Sequence, residues 1–255
     1  MRIAYLSTFY PYRGGIAQFN AALYRVMERE NDVKAFTFFR QYPSVLFPGQ
    51  SQFVTPEDKA DPIPSEKILD TINPLGYYMA ANRVKQFKPD MMITKYWMPF
   101  FAPSLGTVAK NIKKNTVNIA ILDNVIPHEK RPGDIKLTNF FLNQYHGFVV
   151  MSDTVKNDLL SLKPDAKFIE NVHPLYNHFG EKLNRNEARD RLQIPFDKKV
   201  LLFFGFIRNY KGLDILLEAI KDLPDDYHLV IAGEVYGSFG MYQDLIDKYN
   251  LEEKI

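Results

Sequence analysis

Arg208 and Lys211 stand one turn apart in the stretch VLLFFGFIRNYKGLDILLEAI. Two fixed cations at that spacing are what a diphosphate needs. The apolar run 200–204 ends in Gly205 and reads as a strand buried on both faces, the kind found in parallel sheets. Leu213, Leu216, Leu217 and Ile220 recur at i, i+3, i+4 and i+7, one face of a helix. The turn between them holds Arg208, Asn209, Tyr210, Lys211 and Gly212. In an open α/β sheet, ligands bind beyond the carboxyl ends of the strands, in this kind of turn. The helix start adds unpaired N–H groups and a partial positive charge that attract anions. A plainer alternative stands beside this one: basic βα loops are common, and two solvated cations need no ligand.

Other residues could do chemistry. Arg13 precedes Gly14-Gly15, a pair that lets backbone come close to whatever lies above the sheet edge. It is not a dinucleotide fingerprint, because G-x-G-x-x-G is absent, and alone it is usually a tight turn. After a strand over 117–122 come Asp123 and the run Pro127-His128-Glu129. A histidine there can exchange a hydrogen bond with a hydroxyl or orient a reacting centre. It can equally cap a loop by bonding Glu129 or backbone. Asp123 can accept a hydrogen bond from a hydroxyl or simply cap the turn. Trp97 clusters with Met98, Phe100 and Phe101. Aromatic rings often floor sugar sites, but core packing is the commoner fate of such a cluster.

These residues need elements to position them. Strands are expected over 2–8, 33–39, 91–96, 117–122, 147–151 and 168–172. Helices are expected over 16–28, with Ile16, Phe19, Leu23 and Val26 inward, and over 73–87, with Asn73 as cap and Pro74 first. A third helix turns Phe101, Leu105, Val108 and Ile112 inward. Asp134 is expected to cap a helix through Tyr145, and Ser152 the one that follows it. Five prolines within 40–66 argue against any regular element there. The alternation of strand and helix makes the chain α/β with a parallel sheet. A polar stretch near 177–186 marks a boundary. Beyond it come a short helix over 187–192, the strand and helix around Arg208, a strand over 228–233 and a helix over 241–249.

Composition narrows the classes. The 255 residues carry a net charge of +2, which gives no strong field for nucleic acid. Without a single cysteine, disulfides, thiolate metal sites and a cysteine nucleophile are excluded. No apolar run approaches the roughly 18–20 residues of a membrane span, and MRIAYLSTF reads as a strand start rather than a signal peptide. A cytoplasmic setting is expected.

The segment 200–220 resembles the donor-phosphate motif of retaining glycosyltransferases of family 4, which have the GT-B fold. Members commonly place Gly-Arg, then Lys-Gly, between the strand and the helix. Here Phe206 follows Gly205 and the arginine comes two residues later, within an IR-x-YKGL pattern that some relatives share. The stretch from Asp123 to Glu129 resembles the HN-x-x-PHE segment of bacterial members, with Asp123 where the first histidine stands. Gln18 falls near a histidine of many members, and no role is carried onto it.

The resemblance implies a Rossmann-like acceptor-side domain over 1–178, a linker over 179–195 and the first part of a second Rossmann-like domain over 196–255. It implies that Gly205, Arg208 and Lys211, with Gly14 and Gly15, meet the donor phosphates. Arg13, Trp97 and Glu129 would meet the acceptor or sugar, and His128 and Asp123 would serve the chemistry. The implied reaction moves a sugar from a nucleotide-sugar to a hydroxyl of a glycan or lipid-linked acceptor, with retention, in glycan or polysaccharide synthesis. No cofactor and no metal are expected, since no Asp-x-Asp motif occurs. Lys110, Lys113 and Lys114 read as a solvated helix face, with peripheral contact to the inner face of a membrane as the alternative. The nucleotide-base pocket and the E-x7-E motif of the family would lie beyond Ile255, so a chain truncated within its C-terminal domain is expected. A catalytically silent nucleotide- or sugar-binding fragment, or one subunit of a split enzyme, is the alternative. A sugar-nucleotide epimerase on the same fold fits the PHE and YKGL stretches less well.

Overall fold

The computed structural model describes every residue except 44–46, 48–50, 57, 59, 128–130 and 176–179. The chain divides into two compact units, Met1–Phe47 with Ser51–Leu175, and Tyr176–Ile255.

The first unit runs β1 (Arg2–Leu6), α1 (Gly15–Met27), β2 (Asp32–Arg40), β3 (Ser65–Asp70), α2 (Pro74–Gln86), β4 (Met91–Tyr96), α3 (Ala102–Ile112), β5 (Val117–Leu122), α4 (Asp134–Leu142), β6 (Gly147–Val150), α5 (Asp153–Leu162) and β7 (Phe168–Glu170). Its strands form one sheet in the order β3-β2-β1-β4-β5-β6-β7. Every pairing is parallel. The chain winds outward from β1 to β3, then returns to lay β4 beside β1. That reversal opens a crevice past the carboxyl ends of β1 and β4.

Strand alternation assigns the two faces. Ala4 and Leu6, Phe36 and Phe38, Met92 and Tyr96, Ala120 and Leu122 join the core formed with α2, α3 and α4. Ile3, Tyr5, Ala35, Ile93 and Ile121 join the core under α1. By the same alternation Lys95 falls on the α1 face. The inward positions expected for α3 hold: Phe101, Leu105, Val108 and Ile112 are all buried. The Asn73 side chain accepts from Gly76 N at 3.3 Å, and Ser152 Oγ accepts from Val155 N at 3.3 Å, so both expected caps are made.

Three expectations for this unit need correction. α1 buries Ala17, Phe19, Asn20, Ala21 and Tyr24, while Val26 is exposed. The inward stripe is therefore rotated toward a polar residue, and hydrophobicity alone misplaced it. Gly133, not Asp134, is the N-cap of α4, and the helix ends at Leu142. Asp134 instead accepts from Arg131 N at 2.8 Å, tying the preceding turn. β3 was not expected. Its sequence SEKILD has one buried residue, Leu69, because it lies at the sheet edge.

The second unit runs α6 (Arg185–Arg191), β8 (Lys199–Phe204), α7 (Leu213–Ile220), β9 (Tyr227–Ala232) and α8 (Gly240–Tyr249). Asn184 caps α6 by accepting from Glu187 N at 2.9 Å. Arg189 is buried and donates to Pro195 O and Lys198 O, which fixes the approach to β8. β8 and β9 pair in parallel from Lys199↔Tyr227 to Phe204↔Ala232. The expectation that 200–204 is buried on both faces fails. Leu201 and Phe203 pack with Leu213, Leu217, Leu229, Tyr242 and Ile246. Leu202 and Phe204 point the other way and are 62% and 84% exposed. The two helices cover one face of the pair of strands, so an apolar run does not decide how many faces are covered.

Candidate functional site

In the second unit β8 ends at Phe204 and Gly205 follows with φ 117°, a conformation that an L side chain rarely adopts. The chain then stays beside the exit of β9: Ile207 N donates to Glu234 O at 3.0 Å, and Tyr236 N to Ile207 O at 3.1 Å. Ile207 is buried and anchors the turn from below. Arg208 follows in extended backbone, at φ −139° and ψ 151°. A single 3-10 turn, Asn209–Lys211, brings the chain to Gly212 at φ 74°, from which α7 starts.

The two cations differ in how they are held. The Arg208 guanidinium lies over the Tyr236 ring, 4.2 Å from its centroid. Tyr236 is itself packed on Phe206, with ring centroids 4.6 Å apart. Lys211 is exposed and reaches over Tyr210 at 5.4 Å. Asn209 between them meets Tyr242 Oη at 3.5 Å, a long contact to α8. Among the described residues no carboxylate forms an ion pair with Arg208 or Lys211. Asp214 lies in the first turn of α7 and offsets part of that helix's positive end. The anion-attracting field therefore rests mainly on the two side chains. Tyr236 was missed from the sequence; its only signal was a place just beyond a second parallel strand.

In the first unit the loop after β1 turns through a cis Tyr10–Pro11 bond to Arg13, whose N–H donates to Gln52 O at 3.1 Å. Gly14 takes φ 103° and ψ 173°, a region essentially restricted to glycine, and Gly15 opens α1. A Cβ on Gly14 would meet nothing within 4 Å, so the backbone angle and not close packing requires glycine there. Asn20 fastens this loop from inside α1. It accepts from Tyr5 Oη at 2.6 Å and donates to Ser7 Oγ at 2.9 Å and to Thr8 O at 2.8 Å.

Asp123 lies one residue past β5, its N–H donating to Tyr96 O at 2.9 Å. Its Oδ1 is 2.7 Å from Lys95 Nζ. The Lys95 side chain is 2% exposed and that of Asp123 is 21%. Lys95 Nζ also lies 3.5 Å from the centroid of the Phe19 ring, on α1. The His173 ring packs on the same Phe19, with centroids 5.3 Å apart. Burial pushes the Lys95 ammonium below its ordinary pKa, and Asp123 pulls it back. Burial likewise pushes the Asp123 carboxyl up, against the nearby Lys95 charge and a smaller contribution from His173. The Tyr5 phenol is held well above its ordinary value by burial and by the Asp123 charge. Sequence reading found Asp123 but not Lys95, which looked like one more lysine between apolar strand residues.

Trp97 donates from Nε1 to Tyr42 Oη at 3.0 Å and packs on Phe101, with centroids 4.2 Å apart. It is half-buried against the core and continuous with it. His128 and Glu129 lie outside the described residues. Lys110, Lys113 and Lys114 are exposed. Lys113 Nζ donates to Asn143 O and Gln144 Oε1, both at 3.3 Å, so it ties α3 to the end of α4. Among the described residues no helix is long and apolar enough to cross a membrane, and no group of three or more His, Asp or Glu is placed to hold a metal.

Comparison with known proteins adds to this geometry. Residues 184–255 match the family described as "Glycosyl transferases group 1". A segment of 53 residues is 38% identical to a D-inositol 3-phosphate glycosyltransferase of Xylanimonas cellulosilytica, covering 21% of this chain and 13% of that relative's length. Anabaena HepE, solved with UDP, superposes on 100% of this chain and 68% of its own, with TM-score 0.70 and 14% identity. A UDP-GlcNAc 2-epimerase of Methanocaldococcus jannaschii superposes on 100% of this chain and 70% of its own, with TM-score 0.57 and 13% identity. At such identities these likenesses speak for the fold alone, and the fold is the expected one: α/β, Rossmann-like, of the GT-B class.

Proposed function

We propose that this chain serves a glycosyltransferase that moves a sugar from a nucleotide-sugar to a hydroxyl acceptor, with Arg208 and Lys211 holding the diphosphate. The observation that carries the reading is the pair of cations, free of carboxylate partners among the described residues, on the strand–turn–helix of the segment that matches group 1 glycosyl transferases. The binding of UDP by HepE supports a nucleoside diphosphate as the ligand class.

Negative charge grows on the diphosphate as the bond to the sugar breaks. Fixed cations therefore help more in the transition state than before it. Tyr236 holds the Arg208 guanidinium in place before the donor arrives, so less conformational freedom is lost on binding. Lys211, on an exposed stem, follows the charge as a mobile partner. In this reading the two side chains neutralise the leaving group in place of a metal, and the sugar is transferred with retention. Asp123, on the acceptor-side unit, receives a hydrogen bond from an acceptor hydroxyl. The work belongs to glycan or polysaccharide assembly on the cytoplasmic side.

The test is calorimetric titration of UDP into the chain and its variants. A charge-assisted hydrogen bond contributes about 1.5–3 kcal/mol, so Arg208→Ala and Lys211→Ala should each weaken UDP by about one to two orders of magnitude. Undiminished affinity in both variants would overturn the assignment.

A further inference from the structure

Lys95 is a charged side chain held out of water inside the first unit, its side chain 2% exposed. Two neighbouring positions on its face of the sheet are apolar: Ile93 precedes it on β4, and Ile121 lies opposite in register on β5. Taking an ammonium and a carboxylate out of water costs several kcal/mol per ion, and an apolar pair of similar volume often serves stability as well or better. The pair therefore asks for a reason beyond packing. Its position supplies one. Lys95 is the penultimate residue of β4, beside the point where the strand order reverses, and Asp123 is the first residue past β5. Exposure is divided unequally, with the Lys95 side chain 2% exposed and that of Asp123 21% exposed. The ammonium lies over the Phe19 ring, on which His173 packs in turn.

We propose that Lys95 is a positioning residue for Asp123, and that the pair forms a recognition point for a hydroxyl of a free sugar or similar polyol acting as acceptor. The inference rests on the glycosyl-transfer reading for the word acceptor, but not for the site. A carboxylate accepts up to about four hydrogen bonds, and the Lys95 ammonium stands in ion-pair contact with Oδ1. A hydroxyl donates to a carboxylate in a short, charge-assisted bond, provided the group is ionised. Among the described residues, the charged and titratable groups around the pair are Lys95 on β4, Asp123 after β5, Tyr5 on β1 and His173 after β7. Of these only Lys95 is in ion-pair contact with the carboxylate. Its charge opposes the burial that favours the neutral carboxyl, and its contact with Oδ1 constrains where the carboxylate points.

The test uses the full chain with methyl α-D-glucopyranoside as probe, followed by saturation transfer from protein to sugar. The Asp123 carboxyl carbon is observed in parallel, identified by the signal that Asp123→Asn removes. The expected result is transfer to the sugar and a sugar-induced shift of the Asp123 carbon in the wild type. Both are lost in Lys95→Met, where the Asp123 titration moves to higher pH, and both return in Lys95→Arg. If Lys95→Met does not fold, the neutral pair Lys95→Met with Asp123→Asn is used, and persistent saturation transfer there overturns the proposal. A wild-type Asp123 signal indifferent to the free sugar also overturns it, as does one that responds to UDP-glucose alone. UDP binding separates the two readings. If UDP binds and the sugar does not, this inference falls and glycosyl transfer stands; if the sugar binds through Asp123 and UDP does not, the reverse holds.

Discussion

The carbonyl oxygen of Gly205 fills the place where a side chain on Gly233 would begin: a Cβ there would sit 1.8 Å from it. The two glycines close neighbouring strands, with Gly205 N donating to Ala232 O at 2.9 Å. This backbone-on-backbone contact aims the turn that carries Arg208. Gly205, expected among the phosphate ligands, thus has a local duty that its φ of 117° and its neighbour already explain. Gly233→Ala cannot be relieved by a rotamer change, because the obstacle is backbone. It should destabilise the second unit by about 1–3 kcal/mol, the usual range for overpacking. Amide exchange in β8 and β9 should speed up accordingly, and unchanged protection would show that the strands part at no cost.

Tyr236 should matter to the anion site without touching the ligand. A cation over an aromatic ring contributes about 0.5–1 kcal/mol at an accessible position. Tyr236→Leu should therefore weaken UDP by about two- to fivefold, far less than Arg208→Ala. Tyr236→Phe keeps the ring face and should stay close to wild type. Calorimetry on the three variants orders them. If Tyr236→Leu matched Arg208→Ala, the ring would be contacting the ligand directly.

What the sequence revealed, and what it hid, follows from the physics of each signal. Periodicity and turn chemistry are local, so β4 and β5 were legible to the residue, as were the caps Asn73 and Ser152. The strand–turn–helix around Arg208 was legible for the same reason, since its parts lie within some twenty positions. Pairing across the fold is not local. Lys95 and Asp123 are brought together only because β4 and β5 are neighbours, and nothing in the spacing of the two residues says so. Tyr236 meets Arg208 only because β8 and β9 pair in parallel. Asn20 was concealed by its own polarity, which a search for apolar faces discards.

Asn20 should be among the costliest polar residues to remove. Its amide makes three buried hydrogen bonds that join α1 to β1 and to the loop beyond it. Asn20→Ala leaves the Tyr5 hydroxyl, the Ser7 hydroxyl and the Thr8 carbonyl without that partner. Each buried group so orphaned costs about 1–3 kcal/mol before relaxation. The expected loss is at least 2 kcal/mol by urea denaturation, with the largest gain in amide exchange at 7–15. A loss below 1 kcal/mol would mean that the loop re-forms its bonds without α1.

The Lys95–Asp123 pair makes a prediction whose sign depends on pH. Burial lowers the Lys95 pKa in the folded chain below its ordinary 10.5. Between the folded and unfolded values the unfolded chain binds more protons, so this residue makes stability rise as pH climbs through that window. Asp123 is raised above its ordinary 3.8, so between 3.8 and its folded value the folded chain binds more protons and stability falls as pH climbs. Asp123→Asn removes the second effect and enlarges the first, because the buried ammonium loses the charge that opposed its desolvation. Breaking a fully buried pair costs about 3–5 kcal/mol, and the partial exposure of Asp123 places this one lower, at about 2–3 kcal/mol near neutral pH. The deficit should shrink steadily toward about pH 10, as Lys95 becomes free to lose its proton in both states. In Lys95→Met with Asp123→Asn, neither group titrates, and the difference from Asp123→Asn at low pH should close at high pH. Urea midpoints across that range decide it: a deficit that stays flat with pH would mean that Lys95 is not the group left unpaired.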